Sequence, residues 1–158
     1  MEIRDATIED AAAACEVLRR SISELCVADH ENDPLVLKQW LANKTTENVA
    51  SWIANSQNSV LVAVEGKAIL AVGSVTDAGE ITLNYVSPDA RFHGVSKALL
   101  RALERRALER GNVRCTLIST ETAHRLYQSA GYLQDGPPQR KFGATASYPM
   151  SKRLVGVS

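Results

Sequence analysis

The segment EITLNYVSPDARFHGVSKALL, from Glu80 to Leu100, has the pattern of a strand followed by a polar turn and a helix. Apolar and polar residues alternate over residues 81–86, which is typical of a strand, and Pro88 ends that pattern. A helix is predicted to begin at about Gly94, because apolar residues then recur at helical spacing until Gly111 supplies a left-handed stop. The segment therefore predicts a strand and a long helix joined by a short turn.

The turn between that strand and that helix carries groups that bind phosphate. The first backbone N–H groups of a helix are unpaired and carry partial positive charge, so they attract an anion. Gly94 lets the backbone come close to such a ligand, and Arg91, His93 and Lys97 add charge or donors beside it. On these residues alone, the alternative is an ordinary turn with solvated cations.

Two blocks of the sequence resemble the signature motifs of the GCN5-related N-acetyltransferases, the GNAT family. Arg91-x-x-Gly94-x-Ser96 is similar to the acetyl-CoA motif Q/R-x-x-G-x-G/A of that family, with Ser in the last small position. Residues 120–132, with the pattern T-x-x-A-x-x-L-Y-x-x-x-G-Y, are similar to the downstream motif N-x-x-A-x-x-L-Y-x-x-x-G-F. The two blocks and the elements around them cover nearly the whole chain.

The resemblance implies an α/β fold with a mixed, mostly antiparallel sheet that is splayed at its centre and flanked by helices. The opening of this sheet would lie between the Glu80 strand and a β-branched strand predicted over residues 113–118. Such a fold would form one domain over residues 1–158. Residues 15–55 would form the acceptor side of this domain, and residues 80–132 would form its cofactor-binding core.

The resemblance also implies that acetyl-CoA is the cosubstrate and that no metal takes part. Its pantetheine arm would lie in the opening of the sheet. Ser96 keeps the backbone N–H of the motif but adds a hydroxymethyl group, and Thr120 offers a hydroxyl where the family has an amide. The residues that would bind the cofactor are Val86, through its backbone N–H, and Arg91, Phe92, His93, Gly94, Val95, Ser96, Lys97 and Thr120.

Two catalytic side chains follow from the same resemblance. Tyr127 holds the position of a tyrosine that protonates the departing thiolate of coenzyme A, and a phenol near pKa ~10 can do so without prior ionisation. Glu80 holds the position of a glutamate that serves histone-acetylating members as a base toward the amine. The N–H of Val86 would polarise the acetyl carbonyl. Each side chain also has a structural alternative: Tyr127 as part of the core, and Glu80 as the polar first residue of a strand.

Composition sets limits on the class of protein. The chain has 158 residues, of which 45% are hydrophobic and 23% charged, and this is ordinary for a globular domain. Lys and Arg together number 18, as do Asp and Glu, so we expect neither a nucleic-acid surface nor a membrane surface. The acidic start and the lack of a long apolar run predict a cytoplasmic protein. The three cysteines are widely spaced, which predicts free thiols and no metal site.

The remaining pattern places helices before strands. Asp29, Glu31 and Asp33 are interpreted as an acidic, solvated loop, with attraction of a cationic amine as the alternative. His30 is interpreted as a solvated member of it, with a place in the substrate pocket as the alternative, and His124 as a solvent-facing residue. Trp40 and Trp52 are interpreted as core. Helices are predicted over residues 7–25, from residue 33 and from residue 45, and further strands over residues 3–6, 59–64, 68–75 and 148–154.

These observations predict an acetyltransferase that moves the acetyl group of acetyl-CoA directly to a primary amine in a ternary complex. The alternative is a CoA-binding sensor or interaction module of the same fold, because Ser96 and Thr120 depart from the family pattern. Cys26 leaves a route through an acetylated enzyme formally open. A hydrolase or nucleotide enzyme lacks its motifs here. The acceptor is not indicated, and the resemblance leaves a homodimer open.

Overall fold

The computed structural model describes residues 1–140 and 146–155. Helices dominate the first third of the chain, a meander of three strands follows, and a long helix then leads to the remaining strands. In chain order the elements are β1 Glu2–Asp5, α1 Ala11–Leu25, α2 Val27–His30, α3 Pro34–Leu41, α4 Thr46–Ala54, β2 Asn58–Glu65, β3 Ala68–Thr76, β4 Ile81–Val86, α5 Val95–Glu109, β5 Arg114–Ser119, α6 His124–Ser129, β6 Leu133–Gln134 and β7 Tyr148–Arg153.

The boundaries of these helices follow from local capping. The carboxylate of Asp33 accepts the backbone N–H of Leu35, and the hydroxyl of Thr45 accepts that of Asn48, so α3 and α4 begin where the sequence predicts. At the C-terminal end of α5, the C-cap Arg110 is followed by Gly111, which adopts φ +89°. A left-handed glycine at that place ends the helix without steric cost.

The strands form two antiparallel sheets that meet at one point. One sheet has the order β1-β2-β3-β4, and the other has the order β5-β7-β6. A parallel bridge between Glu80 and Thr116 joins them, and the N–H of Thr116 donates to the carbonyl oxygen of Gly79 at 3.0 Å. Beyond this bridge β4 and β5 diverge. The predicted α/β architecture, with a mostly antiparallel sheet splayed at its centre, is therefore confirmed.

The two faces of the four-stranded sheet carry different helices. Leu61 and Ala63 face the α5 side, where the core also includes buried residues of β5 and β7. Val60 and Val62 alternate with them and pack with α1 and α4 on the opposite face. At Gly73 an added Cβ would lie 2.8 Å from a methyl group of Leu103, so glycine lets α5 lie close against β3. The sheet thus separates an α1–α4 side from an α5 side.

The predicted acidic, solvated loop is wrong in its first part, at Asp29 and His30, whereas Glu31 and Asp33 are exposed as predicted. Residues 27–30 form the short helix α2, and Asp29 and His30 are fully buried. The carboxylate of Asp29 accepts the backbone N–H groups of Glu121, at 2.6 Å, and of Thr122, at 3.3 Å. His30 lies against α1, with its Nε2 3.0 Å from the carbonyl oxygen of Ile22. These partners come from distant or preceding elements, which explains why the local sequence reads as polar and exposed.

Several smaller expectations have mixed outcomes. Trp40 is buried, and Trp52 is half-buried against the α1–α4 core, as predicted. His124 is not solvent-facing, because its ring stacks on Tyr148 at 4.0 Å and its Nε2 is buried without a hydrogen bond among the described residues. All three cysteines are free and buried.

Within the part of the chain that the structure describes, no helix is both long and apolar enough to cross a bilayer.

A buried polar cluster ties α5 to the second sheet. The hydroxyl of Tyr132 donates to Glu104 Oε2 at 2.8 Å, and Lys152 Nζ lies 3.1 Å from Glu104 Oε1. Tyr132 is 1% exposed and Glu104 is 9% exposed. Burial, followed by the charge of Glu104, raises the pKa of Tyr132, so the phenol keeps its proton and remains a donor.

Tyr132→Phe should therefore destabilise the protein by about 1.5–3 kcal/mol, because it removes a buried hydrogen bond to a charged group. Chemical denaturation of the variant and the wild type measures this difference. Tyr148→Phe is the matched control, since Tyr148 also donates to a carboxylate, that of Glu121 at 2.7 Å, but at an exposed position. Equal losses in the two variants would contradict the role assigned to burial.

Candidate active site

The turn before α5 forms an open helix N-terminus. Gly94 is the N-cap with φ +73°, and no side chain among residues 1–140 and 146–155 caps the helix there. The backbone N–H of Ala98 bonds to the carbonyl of Gly94, which leaves the N–H groups of Val95, Ser96 and Lys97 pointing out of the first turn. A Cβ on Gly94 would meet nothing within 4 Å, so the left-handed backbone is what requires glycine. The α5 helix is long enough, at 15 residues, for its dipole to favour an anion here.

The rest of the turn is exposed and partly strained. Phe92 adopts φ +69° although it is not glycine, and it is 87% exposed. The guanidinium of Arg91 lies 4.2 Å from the centre of the Phe92 ring. His93 and Lys97 are exposed, whereas the side chain of Val95 is buried in the core, so only its backbone is available to a ligand. The structure thus brings together the predicted phosphate-binding residues at one helix end.

Strand β4 presents backbone N–H groups to the opening of the sheet. The N–H of Ser87 donates to the carbonyl of Leu70, so these two residues form a hydrogen-bonded pair. The next residues of β4 lie opposite β3 in order: Val86 faces Ala71, and Asn84 faces Gly73. In an antiparallel ladder, hydrogen-bonded and non-hydrogen-bonded pairs alternate. Val86 and Asn84 therefore occupy non-hydrogen-bonded positions, and their N–H groups point away from β3. They point toward β5, where the two strands diverge.

A narrow cavity, here called the inter-strand cleft, lies where β4 and β5 diverge. It has a volume of about 40 Å³, and Asn84, Thr120, Ala123 and Tyr127 are among its lining residues. Tyr127 is 6% exposed, and burial raises the pKa of its phenol to about 12, an effect that the nearby Asn84 amide partly offsets. The phenol therefore holds its proton at neutral pH. A protonated phenol at this place can donate to a ligand in the cleft.

Asn84 is a member of the site that the sequence did not indicate. Both polar atoms of its side-chain amide are buried and lack a hydrogen-bond partner of ordinary geometry among the described residues. Such orphaned groups are rare in native proteins and mark places where a ligand or water completes the bonding. The only signal for Asn84 in the sequence is that a polar residue lies within a strand of alternating apolar and polar residues. That signal is too common to identify a site.

Thr120 lies in the cleft but already has a structural partner. It is 8% exposed, and its hydroxyl oxygen accepts the backbone N–H of Ala123 at 3.2 Å. The hydroxyl thereby caps the turn that leads into α6. Its own proton remains available to an acceptor in the cleft, because a hydroxyl both donates and accepts.

A larger cavity opens on the α1–α4 side of the sheet. Its volume is about 720 Å³, within the range of small-molecule sites, and it is bounded by α4, the end of β3 and the start of β4. Glu80 lies in its wall, with an exposed side chain and a backbone N–H that donates to the hydroxyl of Thr76. The larger cavity and the inter-strand cleft share wall residues at the start of β4: Ile81, Thr82 and Leu83. Glu80 and Tyr127 therefore line two adjoining cavities rather than one.

Cys26 and Cys115 are poor nucleophiles. Cys26 is 5% exposed, and burial, with a smaller contribution from the charge of Asp29, raises the pKa of its thiol to about 12. Burial raises the pKa of the Cys115 thiol to about 11. The thiolate is the reactive form of cysteine, and at neutral pH neither residue forms it to a useful extent.

Comparison with known proteins agrees with this geometry. The profile of the acetyltransferase (GNAT) domain matches residues 18–154. The structure is similar to a GCN5-related N-acetyltransferase of Rhodopseudomonas palustris, with a TM-score of 0.84, 24% identity, and coverage of 97% of this chain and 95% of that one. No curated protein sequence is a significant match.

Two further solved structures hold a cofactor. The PaiA N-acetyltransferase of Thermoplasma acidophilum, in complex with coenzyme A, has a TM-score of 0.83 and 19% identity, with 97% of this chain and 98% of that chain covered. YncA of Salmonella typhimurium, a putative acetyltransferase solved with acetyl-CoA, has a TM-score of 0.74 and 24% identity, with 100% and 96% covered. At these identities the likeness establishes the fold. Because the domain profile matches most of the sequence, the chain belongs to the GNAT acetyltransferase family.

Proposed function

We propose that this protein transfers the acetyl group of acetyl-CoA directly to a primary amine. The observation that carries the proposal is the meeting of two cavities where β4 and β5 diverge, with a protonated phenol in one and a carboxylate in the wall of the other. A thioester in the inter-strand cleft and an amine in the larger cavity would approach each other across the start of β4. Membership of the family and the cofactors bound by two similar structures support acetyl-CoA as the donor.

The cofactor would bind along the opening of the sheet. Its pyrophosphate would accept the free N–H groups of the first turn of α5, beside the charges of Arg91 and Lys97. Its pantetheine arm would lie against the outward N–H groups of β4 and near the hydroxyl of Thr120. This placement uses the groups that the protein leaves without partners, and it requires no metal.

Acetyl transfer would then need three groups. The amine nitrogen attacks the thioester carbonyl carbon, and the outward N–H of Asn84, which lines the cleft, donates to the oxyanion that forms; Val86 lies beyond the cleft at the end of β4. The C–S bond breaks as the carbonyl is restored, and the phenol of Tyr127 gives its proton to the sulfur. The amine loses its proton to Glu80, directly or through water. Direct transfer is favoured because the raised pKa of Cys26 leaves no thiolate to carry an acetyl group.

Gly94→Ala should weaken acetyl-CoA binding about tenfold or more, which corresponds to losing a hydrogen bond to a charged group. The new Cβ strains the left-handed backbone and alters the N–H groups at the helix end. Isothermal titration with acetyl-CoA measures the affinity. Gly66→Ala is the matched control, since Gly66 has φ +60° and equally open surroundings, but lies in the β2–β3 turn. An unchanged affinity in the Gly94 variant would place the pyrophosphate elsewhere.

Tyr127→Phe should lower kcat about 100-fold, the usual effect of losing a general acid, and leave acetyl-CoA affinity nearly unchanged. Steady-state release of coenzyme A with a panel of primary amines measures the rate, and calorimetry measures the affinity. Tyr148→Phe, outside both cavities, should retain the wild-type rate. A wild-type protein that binds acetyl-CoA but acetylates no amine would instead favour the binding module, which the off-pattern Ser96 and Thr120 suggest.

Glu80→Gln should lower kcat/KM about 100-fold near pH 7. The deficit should shrink as pH rises toward the pKa of the amine, ~8 to ~10.4, because the acceptor then loses its proton to solvent. A pH profile of kcat/KM for both proteins tests this. Glu65→Gln, at the exposed β2–β3 turn, is the control. A deficit that is constant across pH would assign Glu80 a role other than that of a base.

A further inference from the structure

Lys44 is a buried cation without a carboxylate partner. It lies between α3 and α4, is 8% exposed, and its Nζ donates to the side-chain oxygen of Asn43 at 2.7 Å. Among residues 1–140 and 146–155, no carboxylate forms an ion pair with it. Burial lowers the pKa of Lys44. Buried lysines are rare unless they are paired, so this residue requires an explanation.

The backbone holds Lys44 firmly in place. Its N–H bonds to the carbonyl of Leu41 at 3.0 Å, and its own carbonyl accepts Nη1 of Arg19 at 2.8 Å and the thiol of Cys15 at 3.2 Å. Among the described residues, the buried carboxylates do have partners: Glu104 of α5 is paired with Lys152, and Asp29 accepts backbone N–H groups. The backbone of Lys44 is thus fixed by hydrogen bonds. Its ammonium, however, contacts only the neutral side-chain oxygen of Asn43.

Lys44 and Asn43 line the larger cavity, in which the acceptor would bind. Glu80 and Asp77 belong to the same wall, on the side of the β3–β4 turn. Side-chain amides and hydroxyls contribute much of the remaining lining, among them Asn55, Asn58, Ser74 and Thr82. Among the described lining residues, Lys44 is the only cation. The cavity therefore offers one positive group and a separate negative region, an arrangement that matches a molecule with both charges.

We infer that the acceptor is a primary amine that also bears a carboxylate, as in an amino acid, and that Lys44 binds this carboxylate. The inference rests on the proposed function, and it names the class of substrate. An ammonium and a carboxylate form a charge-assisted hydrogen bond, which is strong in a site removed from water. Glu80 lies in the region left for the amine. A volume of about 720 Å³ accommodates an amino acid with a large side chain. An amine with several positive charges would instead meet the ammonium of Lys44.

The test compares acceptors in matched pairs. Each amino acid is assayed beside the amine that lacks its carboxylate: phenylalanine with phenethylamine, leucine with isoamylamine, and lysine with cadaverine. We expect kcat/KM at least tenfold higher for the carboxylated member of a pair. Phosphoethanolamine is included as an amine with a phosphate. A preference for it, or for the amines without an acid group, would overturn the inference.

The Lys44→Met variant tests whether Lys44 causes the preference for acceptors with a carboxylate. Its kcat/KM for phenylalanine and leucine should fall at least tenfold, toward that of the matched monoamines, while kcat/KM for phenethylamine and isoamylamine does not fall in parallel. Its unfolding temperature should equal or exceed that of the wild type, because methionine is buried without a charge. Lys38→Met, at an exposed position of α3, is the matched control and should retain the preference.

The possible failures are distinguishable. If the wild type acetylates both members of each pair equally, or if Lys44→Met lowers both rates to the same extent, this inference is wrong and the acetyltransferase proposal stands. If acetyl-CoA raises the unfolding temperature but neither member of any pair is acetylated, the proposed function fails and the inference fails with it.

Discussion

The divergence of β4 from β5 after a single bridge is the constraint on which the rest of this structure depends. A continuous sheet would pair the outward N–H groups of β4 with β5. Here the Glu80–Thr116 bridge is followed by a cleft, so the positions of Val86 and Asn84 are left without ladder partners. Unpaired backbone groups are costly when they are buried away from water. An open cleft of this kind is stable because water or a ligand can reach it.

The same divergence determines where the other parts lie. Helix α5 begins just after β4 ends, so its free N–H groups lie at one end of the opening. Strand β5 leads through Thr120 to α6, which brings Tyr127 to the other wall. The larger cavity begins at the bridge, where the start of β4 is still joined to β5. The helix end, the cleft and the larger cavity, where we propose that the donor, the proton source and the acceptor lie, thus surround one gap in the hydrogen bonding of a sheet.

Sequence reasoning succeeded where the determinants are local. Gly94, Gly111, Asp33 and Thr45 act within one turn of the helix ends that they define, and those ends were predicted correctly. The positions of Tyr127 and Glu80 came from motif spacing, and the roles of both remain predictions. Spacing could not show that these residues line different cavities. That depends on the side of the sheet that each one faces.

Burial of polar residues was the part that the sequence could not reveal. Asn84, Lys44 and Asp29 look like ordinary surface residues in their local context. Their partners, or their lack of partners, come from elements distant in the chain, so no local pattern distinguishes them from solvated residues. The prediction of a solvated acidic loop failed for this reason. For the same reason the site predicted from the sequence did not include Asn84 and Lys44.

The contact of Asp29 with the loop before α6 has a consequence for how this chain folds. It joins residues 92 positions apart, and the carboxylate it buries cannot be satisfied until β5 and the following turn have formed. Closing so long a segment is entropically costly, and contacts of this kind form slowly compared with local ones. Helix α2 can therefore reach its final position only after β5 and the turn that follows it are in place.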